Sequence, residues 1–419
     1  MKILLIHQNF PGQYKHLAPA LVKTGHQVVA LTPKVDKPTV WNGVNVVPYQ
    51  IKGRSTAGIH PWLADFETKV IRGQSCHMAA KALRAKGFVP DLILAHHGWG
   101  ESLFLKDVWP EARLGLYCEL YHLADGPNLN FDPEFPPRDP DGDALRIRLK
   151  NLNNRLHEEV MDAGISPTRF QAGTFPARYQ DRISVIHDGI NTDVVVPNAG
   201  ARLDLPGGRA VTREDEVITF INRNLEPYRG YHVFMRALPD LLKRRPRAQV
   251  VLIGGDEVSY GAKAPKGQSW KQIYIDKVRP KISDPDWARV HFLGRVPYDR
   301  FLSMMQVSRV HVYLTYPFVL SWSLLEAMSA GCAIVASNTP PVREVLADGE
   351  TGKFVDFFDH ESLSAQVSTL LDDADARAAM GQAARTFVCE RYDLATTCLP
   401  QQLQWVHQLG HAQPRVPMD

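Results

Sequence analysis

The chain has 419 residues, 44% of them hydrophobic and 22% charged, with a formal net charge of +3. That length exceeds what one hydrophobic core usually organises, so two α/β domains of roughly 200 residues each are expected. The small net charge, and the lack of an aromatic-interleaved basic stripe or zinc-finger spacing, argue against a nucleic-acid partner, and no apolar run approaches the roughly 18 residues that span a bilayer. Cys76, Cys118, Cys332, Cys389 and Cys398 are scattered without a C-x-x-C pair, which points to reduced thiols and a soluble cytoplasmic protein whose membrane contact would be peripheral, at the inner face.

The apolar opening stops at His7-Gln8-Asn9 without a cleavage-like site, so it reads as a buried first strand rather than a signal peptide. A strand over 2–7, a helix over 13–23 ended by Gly25 and a strand over 26–31 make a βαβ opening. Short apolar runs at 91–95, 113–118 and 183–186 continue a mainly parallel sheet covered on both faces, and the first domain is set at 1–197. Residues 198–216, with Asn198-Ala199-Gly200 and Leu205-Pro206-Gly207-Gly208, read as an interdomain linker. The rhythm restarts in a second domain, 217–390, with strands at 217–222, 248–253, 290–293, 310–314 and 333–337 and helices at 231–244, 298–307 and 321–330. Helical runs at 374–391 and 399–409 follow, and the segment 391–419 is expected to return to the first domain. Irregular stretches at 128–143 and 259–269 read as surface excursions near a cleft, with disorder as the alternative.

The run Asn222-Arg223-Asn224-Leu225-Glu226-Pro227-Tyr228-Arg229-Gly230 follows a strand and precedes a helix, where α/β sheets bind ligands. Two guanidiniums there can present forks to phosphate oxygens, and Gly230 permits close backbone approach; a pair of solvated arginines in a turn is the alternative. In Tyr316–Cys332 a strand, a turn and a helix start follow one another, so amides near Leu320, Ser321, Trp322 and Ser323 could cradle an anion. Glu326 lies among apolar neighbours and needs partners, which two ribose hydroxyls would supply; a solvent-facing glutamate is the alternative. In the first domain, the turn Phe10-Pro11-Gly12-Gln13 and the run His96-His97-Gly98-Trp99 both follow strand ends, and His96, His97 and Trp99 are candidates for an acceptor side. Adjacent histidines point different ways, so they do not bind one metal together. Asp139-Pro140-Asp141-Gly142-Asp143 resembles a calcium loop only superficially, because Lys150 stands where the twelfth-position glutamate belongs. No metal and no cofactor are expected.

With Arg223 and Arg229, the runs Leu324-Leu325-Glu326-Ala327-Met328-Ser329-Ala330-Gly331 and Pro340-Pro341-Val342-Arg343-Glu344-Val345-Leu346-Ala347-Asp348-Gly349-Glu350-Thr351-Gly352 resemble those of family 4 retaining glycosyltransferases. Val185–Asp193 and Phe292–Val296 extend the likeness over most of the chain. The resemblance implies a GT-B fold: two Rossmann-like domains facing a cleft, with a C-terminal helix crossing back to the N-domain. It implies a nucleotide diphosphate sugar as donor, UDP before GDP, and a glycan, lipid-linked or protein acceptor in bacterial surface-glycan biosynthesis. By the same likeness Arg223 and Arg229 hold the diphosphate, Gly294, Arg295 and Val296 read the base, Glu326 takes the ribose and Gly12 meets the phosphates. Glu119, where many relatives have a histidine, is the candidate acid or base. One position departs: Phe318 replaces the first glutamate of the family's E(x7)E motif, a contact of the donor sugar. A non-catalytic sugar-nucleotide-binding subunit, or another GT-B enzyme such as an epimerase or phosphorylase, therefore stays open, as does the oligomeric state.

Overall fold

The computed structural model describes residues 1–127, 129–136 and 139–414; Asn128, Pro137 and Arg138 of the first irregular stretch and residues 415–419 of the C-terminal segment lie outside the described residues. The chain divides into two compact units, Met1–Asp188 with Ala395–Asp419, and Gly189–Leu394.

The first unit is built on eight strands: β1 (Lys2–Ile6), β2 (Gln27–Thr32), β3 (Thr39–Trp41), β4 (Val44–Pro48), β5 (Leu92–Ala95), β6 (Arg113–Tyr117), β7 (Ala163–Ser166) and β8 (Ile183–Val185). Their order is β3-β4-β2-β1-β5-β6-β7-β8, and all pairs are parallel except the β3–β4 hairpin. That hairpin turns on Asn42 and Gly43, both at positive φ (48° and 83°), the residue pair a two-residue turn between right-twisted strands favours. The strands are nearly all apolar because both faces are covered. Leu4, Ile6, Ile93 and Leu114 pack on one side; Ile3, Leu5, Val28 and Leu94 pack on the other, against Trp405, Val406 and Leu409. Those three lie on the helix Leu399–His411, which sits so close to the sheet that a Cβ on Gly115 would meet Leu409 at 2.7 Å. The Asp- and Pro-rich stretch resolves partly into a helix start: Asp139 accepts Gly142 N–H at 3.0 Å and Pro140 opens the helix Pro140–Lys150.

In the second unit β11 (Val217–Asn224), β12 (Gln249–Gly255), β13 (Val290–Gly294), β14 (Val310–Tyr313), β15 (Ala333–Ser337) and β16 (Lys353–Val355) form a parallel sheet in the order β13-β12-β11-β14-β15-β16. Residues 198–216 are not an irregular linker. They form an antiparallel hairpin of β9 (Arg202–Asp204) and β10 (Ala210–Thr212), and Leu203, Leu205 and Val211 are buried in the core of this unit. Ala201, Leu203 and Leu205 alternate with Arg202 and Asp204, a strand period too short to stand out among the surrounding Gly and Pro, yet each fully buried leucine stabilises by roughly 1.5–3 kcal/mol. The unit also begins before the expected boundary. Ile190 and Val195 are in its core, and Ile190 N–H donates to Tyr392 O at 2.8 Å while Leu394 N–H donates to Ile190 O at 2.8 Å.

Candidate active site

In the second unit the chain leaves β11 for β12 on one side and later returns to β14 on the other. The sheet order reverses between β11 and β14, and the crevice beyond their carboxyl ends is where open α/β sheets take ligands. Asn222, Arg223 and Asn224 end β11, and Leu314-Thr315 follow β14. Gly230 makes the approach of these two segments possible: its φ is 70°, and a Cβ there would lie 2.2 Å from the Cβ of Leu314. The turn so formed directs Arg229 inward, where it is 4% exposed. Its Nη1 donates to Thr315 Oγ1 at 2.8 Å and to Val319 O at 2.9 Å. The rings of Tyr260 and Phe318 flank the guanidinium at 4.9 and 5.7 Å, an arrangement aromatic quadrupoles favour. Arg223 is exposed. Neither arginine pairs with a carboxylate among the described residues, so two permanent charges are left for an anion to answer.

The excursion 259–269 is anchored beside them. Glu226, fully buried, accepts the N–H groups of Ser259 (3.0 Å), Tyr260 (3.2 Å) and Gly261 (3.1 Å), which fixes Tyr260 over Arg229. Asn224 donates to Ser259 Oγ at 2.7 Å and accepts from Arg295 Nη2 at 3.0 Å, and Arg295 also pairs with Glu257. Gly294, at φ 67°, has open space where a Cβ would stand, while Val296 packs against the core.

Around the helix Trp322–Ser329 the expectation of open amides needs correcting. Ser321 N–H donates to Tyr313 Oη at 3.0 Å and Ser323 N–H donates to Ser321 Oγ at 3.3 Å, so the N-cap and the fold itself engage two of them. Leu320 belongs to the core, Ser323 is buried and Trp322 is exposed. Glu326, on the second turn, is half-buried, and its Oε1 accepts from Tyr298 Oη at 2.8 Å. Burial, then the Glu326 charge, pushes the Tyr298 phenol up. Phe318 meets Tyr228 edge-on at 5.1 Å and Tyr260 at 5.1 Å, so an aromatic wall stands where the family pattern has a carboxylate.

The first unit has its own reversal point, between β1 and β5. His7 follows β1 and His96 follows β5. Asn9 N–H donates to His7 Nδ1 at 2.9 Å, so Nε2 carries the proton and donates to Gln13 Oε1 at 2.6 Å. Burial lowers this imidazole to about 4, with His96 the next cause, and it stays neutral. A Cβ on Gly12 would stand 2.2 Å from the His7 ring, which is what the glycine accommodates. His96 stacks between Trp99 (4.2 Å) and Tyr117 (5.2 Å). Its Nδ1 accepts from Gly98 N–H, leaving Nε2 3.7 Å from Glu119 Oε2. His97 does not belong with this group: it is 2% exposed, its Nε2 donates to Asn154 Oδ1 at 3.1 Å, and burial holds it well below the usual imidazole range. It ties its turn to the helix Leu152–Val160. Asp143 pairs with Arg146 at 2.8 Å, and among the described residues no group of three His, Cys, Asp or Glu is placed to hold a metal ion.

Sequence reasoning missed His7, Glu226, Tyr260, Thr315 and Tyr298. A polar residue closing an apolar strand was a usable signal for His7. The others are identified by partners tens of residues away and carry no local mark.

Two sheets of reversed-order parallel topology, the second gathering unpaired guanidiniums at its reversal point, are the construction of a GT-B glycosyltransferase. Comparison with known proteins agrees. Residues 24–195 match the Glycosyl transferase family 4 group and residues 209–387 match Glycosyl transferases group 1. The chain belongs to the family 4 glycosyltransferases. It is 30% identical over 200 residues to phosphatidyl-myo-inositol mannosyltransferase of Mycolicibacterium smegmatis, a match covering 46% of each chain. It is 24% identical to D-inositol 3-phosphate glycosyltransferase of Corynebacterium efficiens, covering 86% of this chain and 82% of that one. Among solved structures, sucrose-phosphate synthase from Thermosynechococcus elongatus is similar with a TM-score of 0.74 at 17% identity, covering 98% of this chain and 99% of that one. HepE of Anabaena, in complex with UDP and glucose, is similar with a TM-score of 0.65 at 16% identity, covering 97% and 99%. No helix among the described residues is long and apolar enough to cross a membrane.

Proposed function

We propose that this glycosyltransferase moves a sugar from a nucleoside diphosphate, UDP first and GDP next, to an acceptor hydroxyl with retention of configuration and without a metal ion or other cofactor. The observation that carries the reading is Arg229, a buried guanidinium without a carboxylate partner among the described residues, fixed by Thr315 and Val319 at the sheet's reversal point next to Arg223. The two charges stabilise the diphosphate as the bond from the anomeric carbon to the phosphate oxygen breaks, the larger part of catalysis in such transfers. Glu326 is assigned to the ribose and the segment Gly294-Arg295-Val296 to the base. Glu119, facing His96 Nε2, is assigned to order the acceptor hydroxyl, with Trp99 walling the acceptor side. The UDP held by HepE and the inositol-linked acceptors named for the curated relatives support a UDP-sugar and a polyol, lipid-linked or glycan acceptor. We place the reaction on the cytoplasmic side, in surface-glycan synthesis.

A thermal-shift panel of nucleotide sugars tests the donor, since a bound ligand raises the unfolding midpoint by mass action. NMR of the product's anomeric configuration tests retention. Stabilisation by no nucleotide, or an inverted product, would overturn the reading. Phe318 favours a second reading, a subunit that binds a sugar nucleotide without transferring it. Nucleotide binding with neither transfer nor slow donor hydrolysis would establish that reading instead.

A further inference from the structure

At the amino-terminal edge of the second unit's sheet, the end opposite Arg223 and Thr315, a cavity is lined by Arg213, Arg309 and Arg377 with Ala333, Ala374 and Ala378. Arg213 lies just before β11, Arg309 abuts β14, Ala333 opens β15, and the other three occupy the first turns of the helix Ala374–Arg391. All three arginines are half-buried. Their hydrogen bonds go to carbonyls: Arg213 to Gln306 O (3.2 Å) and Gly331 O (2.8 Å), Arg309 to Arg213 O (2.9 Å) and Glu214 O, Arg377 to Leu370 O (2.5 Å) and Leu371 O (2.6 Å). Carbonyls fix the side chains without neutralising them. None of the three makes an ion pair among the described residues. The acids that act on Arg377 through space are Asp373 and Glu216. Asp373 caps its helix by accepting Ala376 N–H at 2.8 Å, and Glu216 is held by Arg245 at 2.8 Å and Arg247 at 3.3 Å. Burial and then the neighbouring Arg309 and Arg245 charges lower Arg377, so these cations face one another at the cost of mutual repulsion.

We infer that this cavity is a second anion site, taking a phosphoryl group, either as free phosphate or on a phospholipid headgroup, at the far end of the sheet from the donor diphosphate. Guanidinium forks match a tetrahedral oxyanion and its charge relieves the repulsion that the carbonyls leave in place.

The test titrates inorganic phosphate, at ionic strength held constant with chloride, against the unfolding midpoint of the full chain. In parallel, the chain is sedimented with phosphatidylglycerol–phosphatidylcholine vesicles and with phosphatidylcholine vesicles alone. Ala378→Glu places a carboxylate at the rim of the cavity without removing an arginine, and Arg377→Gln removes one charge. Each should weaken anion binding roughly tenfold or more. A phosphate response lost in Arg223→Ala but kept in Ala378→Glu and Arg377→Gln belongs to the donor pocket and overturns the inference. If Ala378→Glu does not fold, as judged by circular dichroism, Arg377→Gln carries the comparison. Saturable phosphate stabilisation lost in these variants assigns free phosphate; sedimentation with the anionic vesicles lost in them assigns the headgroup. No saturable response in either arm, or a response the variants leave intact, overturns the inference.

Discussion

The two reversal points occupy equivalent places in two parallel sheets and are built on opposite electrostatic plans. In the first unit burial lowers His7 to about 4 and keeps it neutral, and His96 is stacked between Trp99 and Tyr117. Glu119, facing His96 Nε2, is partly exposed, and the buried Glu101 also acts on His96 through space. In the second unit the charge is permanent. Arg229 is buried without a carboxylate partner among the described residues, and its cost is limited by two acceptors and two aromatic faces. The comparison teaches that burial withholds charge from the His7 imidazole at one reversal point, and that a pre-positioned cation at the other suits an anion that arrives already charged.

Removing the charges should break this contrast most severely. Arg223→Ala is expected to lower turnover by roughly 10²–10³ with an unchanged unfolding midpoint, because the side chain is exposed. Arg229→Ala should lower both turnover and stability, since it also strips Thr315 and Val319 of their donor. Steady-state kinetics beside thermal unfolding read the split, and equal stability loss in both variants would contradict it.

Backbone geometry comes next. Gly230→Ala forces a side chain into positive φ against Leu314 and should cost about 2–4 kcal/mol in urea unfolding. An effect under about 1 kcal/mol would mean that the Leu314 contact yields easily.

On the acceptor side, Glu119→Gln should reduce turnover by about 10² while nucleotide binding is preserved. Equal loss of donor affinity would assign Glu119 elsewhere.

Acid should act more gently and on both units, since His311 of the second unit is also lowered by burial, to about 3. His7, His157 and His187, all in the first unit, are lowered to about 4 from 6.5 by burial. A depressed histidine binds its proton more readily in the unfolded chain. The stability it contributes is therefore complete above pH 6.5 and is lost as pH falls through 4, on the order of 2–3 kcal/mol for each. Glu158, raised to about 7 by burial, works the other way: its contribution is complete below 4.5 and lost as pH rises through 7. Urea unfolding at pH 7, 5.5 and 4.5 should find net loss on acidification, and replacing His157 by Gln should flatten it.

The alternation of strands and helices was legible because periodicity and punctuation are local properties of the chain. The helices Tyr231–Arg244, Tyr298–Val307 and Ala374–Arg391 and the strand Ala333–Ser337 lie where their patterns put them. The segment around Arg223 and Arg229 was legible for the same reason: strand end, turn and helix start are contiguous. The hairpin within 198–216 left only the five-residue alternation 201–205, and its burial is supplied by Val217, Met304 and other residues outside it.

What the chain's order of residues determined by itself, then, was the α/β rhythm, two cores and a family-specific pattern of arginines and a glutamate. Only the tertiary structure decided that Arg229 points inward to Thr315 and Val319, that Glu226 grips the loop at 259–261, that Ser321 and Ser323 N–H are already engaged, and that His97 is buried against a helix. Hydrogen-bond partners and burial are set by strand order and packing between segments far apart in the chain, and no local pattern encodes them.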